Sequence, residues 1–475
     1  MEKANSYKKI IELIKNSNDE FIENELRPFL RIPSFTLNQD GIKQAKDYLI
    51  SYISEFCDDI NEFKGEINPL IIAKVEGKIK NPLLIYMMYD TQPISQENEW
   101  ISKPFDADIK LLPSPLDELG KCIIARGAYN SKSPLMCFLN ILELLKKQKI
   151  LPISLLLLFD GDEEKGSPSL LKFLKNKKDK KIFKNCRDAY YPASKQDLKQ
   201  NSVLKLGYKG ILSLTIKISS DNKEPHSAFS GMIPNPAIDL ISLLNTIYSN
   251  NQFNIDSLKY VYLPTSEEQS LLENLYKRIN IDDIKKKAGI TQTTEKDPKK
   301  AFTNYLFNPT FNISTLKSGF LEVGTKNYVP NQAMCNIDVR FAHDISNEII
   351  FKEIEEKIEI FAKDTNSQIE IIKNIGYDRS RVRINSPLVK SLIKSAEILG
   401  FLTEIWPISA AAAPLSKIQK ELGLDFITGG LGIGGFAHSV NEFIQYDSII
   451  NTRISNYHFL NIYSNLIANN HNLIK

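Results

Sequence analysis

Apolar positions recur with a helical period through residues 1–60: Ile10, Ile11, Leu13 and Ile14, then Phe21, Ile22, Leu26, Phe29 and Leu30. Strands and helices then alternate. The apolar runs at 70–75, 83–88 and 153–159 predict buried strands, and helices are expected from Ser133 to Lys147 and near 168–176. Alternation of this kind implies βαβ units and a mainly parallel sheet flanked by helices. After Gly210 the pattern changes. Residues 212–218, 336–341 and 367–372 alternate apolar with polar side chains, as half-exposed antiparallel strands do. Helical stretches at about 236–249 and 347–363 lie between them, so a smaller α+β domain is expected inside the larger one. Residues 282–303 are rich in Lys and Thr without an apolar period and predict a flexible loop. Near Pro387 the helix–strand alternation resumes and continues to the carboxyl terminus, and no internal repeat is present.

Composition narrows the function. The 475 residues are 42% hydrophobic and 25% charged, the balance of a globular protein of two or three domains. A net charge of +3 over this length gives no reason to invoke nucleic acid or membrane. The Lys175–Lys181 patch lacks the aromatic interleaving of a nucleic-acid surface. No apolar run is long enough to span a bilayer, and the amino-terminal residues have no apolar core of signal-peptide length. Cys57, Cys122, Cys137, Cys186 and Cys335 are odd in number and without paired spacing, which argues for a reducing compartment. A cytoplasmic protein is expected.

The chemistry concentrates at Asp162-Glu163-Glu164-Lys165-Gly166, directly after the apolar run 155–159. Carboxylates at the carboxyl end of a parallel strand lie where open α/β sheets gather their ligands. Two adjacent acids there suit a division of labour, one holding a divalent metal and the other taking a proton from water. A Glu-Glu pair in isolation is more often a solvated loop. This pair has company: Tyr86–Pro93 with Trp100 and Pro104-Phe105, Arg126–Lys132, Gly161–Pro168, Pro225–Gly231 with Pro234–Pro236, Asn327–Pro330 and Ala437–Phe443.

In these ordered stretches, from about residue 20 to residue 465, the chain resembles the zinc metallopeptidases and amidohydrolases that include aminoacylase, carnosinase, acetylornithine deacetylase and succinyl-diaminopimelate desuccinylase. The resemblance implies a catalytic-type α/β domain of residues 1–210 and 385–475, with a smaller α+β dimerisation or lid domain of 211–384 inserted in it. It makes Glu163 the general base, Glu164 and His438 ligands of one metal, and Asp90 an acid behind the ligands. It also places His226 as an oxyanion donor reaching a partner subunit's site, and Asn327 and Arg340 on polar groups of the substrate. Flanking residues leave other uses open: His226 as a structural loop residue, and Arg340 paired with Asp338 on the sheet.

Three ligand positions are altered. The first metal-binding His falls on Met88, the bridging Asp on Asn130, and a further acidic ligand on Ser194, with Asp197 a rival for that last register. Met88 and Ser194 would serve one metal, so one site has lost both private ligands while Glu164 and His438 of the other remain. A thioether and a neutral hydroxyl are poor partners for zinc, and Asn130 offers an oxygen but no charge. At Ile408–Pro414 the small residues lack the Ser hydroxyl and preceding Arg of the dipeptidase branch, which puts carboxylate recognition by that loop in doubt. The expectation is a metal-dependent hydrolase of a small peptide or N-acyl amino acid, a homodimer through its lid domain. It would work with one zinc or other divalent ion held by Glu164, His438 and Asn130. The alternative is a catalytically inactive homologue, without metal, that keeps the scaffold for binding.

Overall fold

The computed structural model describes residues 2–287 and 289–472, which fall into two compact units. The first comprises the described residues of Met1–Leu206, Val382–Trp406 and Ile418–Lys475, the second those of Gly207–Arg381 and Pro407–Lys417. The stretch Pro407–Lys417, expected with the first unit, belongs to the second. Its backbone is tied there: Lys209 N donates to Ser409 O (3.0 Å) and Ala411 O (3.1 Å), and Ser409 N donates to Gly207 O (2.8 Å).

The sheet of the first unit has six strands in the order Asp59–Phe63, Leu70–Val75, Ile153–Asp160, Ile79–Met88, Asp188–Pro192 and Asp425–Gly429. The last four are parallel to one another, whereas Leu70–Val75 runs antiparallel to both of its neighbours. The sheet is therefore mixed: mainly parallel, as expected, with antiparallel pairing at one side. The cause is local: the link from Phe63 to Leu70 is too short for a crossover helix, so those strands can only form a hairpin at the sheet edge. Ile153–Asp160 lies near the middle with all eight residues buried, as a strand covered on both faces must be. Helix Lys132–Lys147 packs on strands Ile79–Met88 and Asp188–Pro192.

In the second unit an antiparallel sheet runs in the order Thr310–Ser318, Gln332–Phe341, Gly210–Ser219, Gln368–Tyr377. Alternate residues Leu212, Leu214, Ile216 and Ile218 face the same core as Cys335, Ile337, Val339 and Phe341. They meet Leu240, Leu243 and Leu244 of helix Pro236–Ile247 and Ile350 and Ile354 of helix Asn347–Ala362. Each such aliphatic side chain contributes about 1.5–3 kcal/mol on burial. The edge strand Thr310–Ser318 is mostly exposed and gave no alternating signal. The expected loop at 282–303 is instead bounded by helices Ile281–Lys287 and Pro298–Phe307. Asp297 caps the second, its side chain accepting from Lys300 N, with Pro298 in the first turn and Phe302, Leu306 and Phe307 buried. Among the described residues no helix is long and apolar enough to cross a membrane.

His343 is buried in the second unit, stacked on Phe341 (centroids 5.0 Å) and edge-on to Tyr260 (5.9 Å), with neither ring nitrogen hydrogen-bonded. Burial first, and Arg379 second, push its pKa down to about 4, against Asp344 and Glu353. The folded value lies below the unfolded one, so the unfolded chain takes up the proton first as pH falls. The stability held by the neutral ring is complete above about pH 6.5 and is lost between there and about 4. We expect His343→Phe to flatten the fall of Tm between pH 7 and pH 4, measured by calorimetry. An unchanged slope would show that His343 titrates normally in the folded chain.

Candidate active site

Three parallel strands of the first unit end together, and the loops that follow them carry the chemistry. Ile79–Met88 leads into Asp90, Ile153–Asp160 into the turn Glu163–Lys165, and Asp188–Pro192 into Ser194. Met88 and Asp160 are paired across adjacent strands, which fixes the height of both loops. Gly161 follows because nothing larger fits: a Cβ there would stand 2.3 Å from Tyr89 Oη.

Asp90 organises the acidic turn. Fully buried, its carboxylate accepts from Thr36 Oγ1 (2.7 Å), Glu163 N (3.1 Å) and Glu164 N (3.1 Å). It thus pins the backbone of both glutamates from a neighbouring strand. Burial, reinforced by Asp160 and Glu164, pushes its carboxyl well above the usual range. Glu163 is pushed up in the same way, by burial and then by the charges of Glu164, Asp90 and Asp160. Asp160, fully buried, is raised to about 7.

Glu164 meets His438 from the far end of the chain, Oε1 to Nε2 at 3.3 Å. Asn130 joins them: its amide nitrogen donates to Glu164 Oε1 at 3.0 Å and stands 3.0 Å from His438 Nε2. Gln92 donates to the second oxygen, Glu164 Oε2, at 2.8 Å. The carboxylate beside it raises the His438 pKa. His438 itself holds a left-handed backbone at φ 65°, a conformation that non-glycine residues keep only when the surroundings impose it.

Four residues further on, Glu442 is buried together with Arg126. One of its oxygens accepts from Arg126 Nη1 (2.8 Å) and Gly127 N (3.0 Å), the other from Tyr129 N (3.0 Å) and Asn130 N (2.7 Å). Burial raises its pKa against all of these donors. Neither Glu442 nor Gln92 was singled out from the sequence. Glu442 did carry a signal, because an acid directly before Phe443-Ile444 on a strand must be buried and therefore partnered.

The other expected positions divide clearly. Met88 is buried core at its strand end. Ser194 is buried with its hydroxyl unpartnered, close to Gly432 and Thr452. Asp197 is held in a turn, accepting from Asn201 N (2.8 Å) and Asn201 Nδ2 (3.2 Å). In the second unit the His226 and Asn327 loops lie side by side, with Ser227 N donating to Asn327 O at 3.2 Å. His226 Nδ1 accepts from Ala228 N (3.1 Å), which leaves Nε2 to carry the proton of a neutral ring. Arg340 faces Asp338 (3.4 Å) and Ala410 O (3.4 Å).

Donor chemistry decides what this site can hold. Among the described residues no group of three or more His, Cys, Asp and Glu side chains is placed to bind a metal. A two-metal set therefore does not fit: Met88 offers a thioether and Ser194 a neutral hydroxyl. One cation does fit, because Glu164 and His438 already converge and a half-turn of the Asn130 amide exchanges its nitrogen for an oxygen at the same place.

The model of peptidase family M20/M25/M40 matches residues 84–460. Among curated proteins, the Cys-Gly metallodipeptidase dug1 of Schizosaccharomyces pombe is 23% identical, with 94% of this chain and 96% of that protein covered. A Beta-Ala-His dipeptidase of Rattus norvegicus is 23% identical over 63% of this chain and 59% of its own. Among solved structures, the M20 family metallo-carboxypeptidase Sso-CP2 from Sulfolobus solfataricus superposes with a TM-score of 0.82 at 26% identity, covering 92% of this chain and 98% of that one. The di-peptidase Dug1p from Saccharomyces cerevisiae shares the fold at a TM-score of 0.76 and 19% identity, over 97% and 99% of the two chains.

Removing the Glu442 carboxylate would leave Arg126 buried without its counter-charge and three backbone donors without an acceptor. We expect Glu442→Ala to cost about 3–5 kcal/mol of stability by denaturant titration. A loss below about 1 kcal/mol would mean that solvent replaces the carboxylate freely.

Proposed function

We infer from its membership of peptidase family M20/M25/M40, to which the chain belongs, that this protein is a metal-dependent hydrolase of small peptides or N-acyl amino acids. One observation carries the reading: Glu164 and His438 approach to 3.3 Å around the Asn130 amide, on the same acidic turn as Glu163. The dipeptidase relatives support a small peptide as substrate. A donor set of imidazole, carboxylate and amide oxygen suits zinc, and one ion is the number these residues support. When bound, the cation supplies a Lewis acid that polarises the scissile carbonyl.

The chain supplies the rest. Glu163 takes a proton from the attacking water and returns it to the leaving nitrogen, while its backbone is held by Asp90. Glu442 holds the Asn130 backbone, so that the amide faces Glu164 and His438. His226, with Nε2 free to donate, is suited to the developing oxyanion. In our reading it serves the partner subunit of a homodimer formed through the lid unit, and Asn327 and Arg340 complete the substrate contacts. Five free cysteines support a cytoplasmic setting.

A second reading has its own observation. The Asn130 and Gln92 amides already satisfy both oxygens of Glu164 at 3.0 and 2.8 Å, as in a site that keeps its shape without metal. A catalytically inactive homologue that binds a ligand is the function this favours.

Calorimetric zinc titration of chelator-treated protein, run beside dipeptide hydrolysis, separates the two. We expect one zinc per chain, activity abolished by chelator, and about a 10²-fold or greater fall in kcat for Glu163→Gln. Asn130→Asp restores a charged ligand and should tighten zinc by about tenfold. No bound metal, together with no dipeptide hydrolysis by the natural chain above the level of Glu163→Gln, leaves the second reading.

A further inference from the structure

Beside the acidic turn, the first unit carries a cationic cluster that no step above uses. Lys195 directly follows Ser194, and its ammonium lies over the ring of Tyr129, 5.8 Å from the centroid. Tyr129 is the residue before Asn130, and its ring is packed so tightly on Gly434 that a Cβ there would stand 2.5 Å from Cδ2. Lys205 comes back alongside: Val203 N donates to Lys195 O at 2.7 Å, and the Lys205 ammonium lies 5.6 Å from the centroid of Trp406, its partner on the next strand. Neither ammonium makes an ion pair or a hydrogen bond among the described residues. Glu404 is the acid in their vicinity, and it accepts from Trp406 Nε1 at 2.6 Å.

The two half-buried ammonium groups, each backed by an aromatic face and brought together by the Lys195–Val203 backbone pairing, repel one another, and Glu404, engaged by Trp406, offsets only part of that charge. Burial pushes Lys195 down, and burial with the charge of Lys195 pushes Lys205 down to about 8. A carboxylate between them would relieve both strains at once. We propose that Lys195 and Lys205, flanked by Tyr129 and Trp406, form a subsite for a carboxylate of the substrate. The word substrate rests on the hydrolase reading, whereas the subsite itself rests on the cluster. It also offers an anchor that the altered loop Ile408–Pro414 does not.

Binding tests it without turnover. Glycylglycine and glycylglycinamide, which differ in the terminal carboxylate, are titrated by calorimetry into the full-length protein and into Lys195→Met and Lys205→Met, with circular dichroism confirming that each variant folds. Glutamyl-glycinamide, whose carboxylate is on the side chain, forms the third arm and shows which carboxylate is taken. We expect the natural chain to prefer a carboxylate-bearing peptide over glycylglycinamide by about tenfold, and either substitution to reduce that preference to about twofold or less. Equal binding of all three peptides, absence of binding by any, or a preference surviving both substitutions overturns the subsite. Absence of hydrolysis by the natural chain, with the binding preference present and sensitive to both substitutions, would instead count against the hydrolase reading alone.

Discussion

The buried carboxylate of Glu442 joins two segments of the first unit that lie more than three hundred residues apart in the chain. It can remain charged in that place because Arg126 and three backbone N–H groups surround it. Its position sets two things together: the loop that presents Asn130 and the loop that presents His438. The approach of Asn130 to Glu164 and His438 follows from this hold on the Asn130 backbone. Hydrophobic packing brings the strands into a sheet but is non-directional, and it could not place an amide nitrogen 3.0 Å from both a carboxylate and an imidazole. Directional bonds to a desolvated charge can.

Around that anchor the charges do not balance. Asp90, Asp160 and Asp162 are buried, Glu163 and Glu164 follow at once, and burial or mutual repulsion lifts the carboxyl groups of Asp90, Asp160 and Glu163. Backbone amides answer part of this: Glu163 N and Glu164 N on Asp90, Asn68 N and Ser169 N on Asp162. Side-chain amides of Asn130 and Gln92 answer another part on Glu164. Amides bring partial charge only, so the turn stays a place where a cation is welcome. Lys195, whose ammonium lies over the ring of Tyr129 next to Asn130, and Lys205 over Trp406 carry charge of the opposite sign.

Much of this could be read in the amino acids. The run at 153–159 was legible as a buried strand because all of it is apolar, and the acids after it were legible as a site because strand ends gather ligands. Residues 212–218 declared their face by strict alternation. The misses have physical causes. The antiparallel edge at Leu70–Val75 is as apolar as a parallel strand, and direction leaves no mark on a short apolar run. Thr310–Ser318 is exposed on both faces, so it has no pattern to show. The helix Pro298–Phe307 was announced by Asp297-Pro298, but the Lys-rich residues before it hid that signal. Contacts such as Glu442 with Asn130 depend on three-dimensional proximity that spacing along the chain does not encode.

The residues at Met88, Asn130 and Ser194 keep the shape of this site by packing and backbone bonds, independently of the chemistry their side chains offer. Met88 at a strand end packs as core, so the strand and its register with Asp160 survive without an imidazole. Asn130 has the outline of an aspartate, and Glu442 holds it through the backbone, so the loop keeps its course with either side chain. Ser194 is buried with an idle hydroxyl, which is a small burden beside the desolvation of an unpaired aspartate in the same place. Asn130 and Ser194 bring no negative charge to a crowded acidic pocket, and Met88 packs as core. The surviving pair, Glu164 and His438, is the one that Asn130 and Gln92 still hold in position. Met88 and the Ser194 hydroxyl have no such hydrogen-bond partner, whereas Glu164 and His438 do.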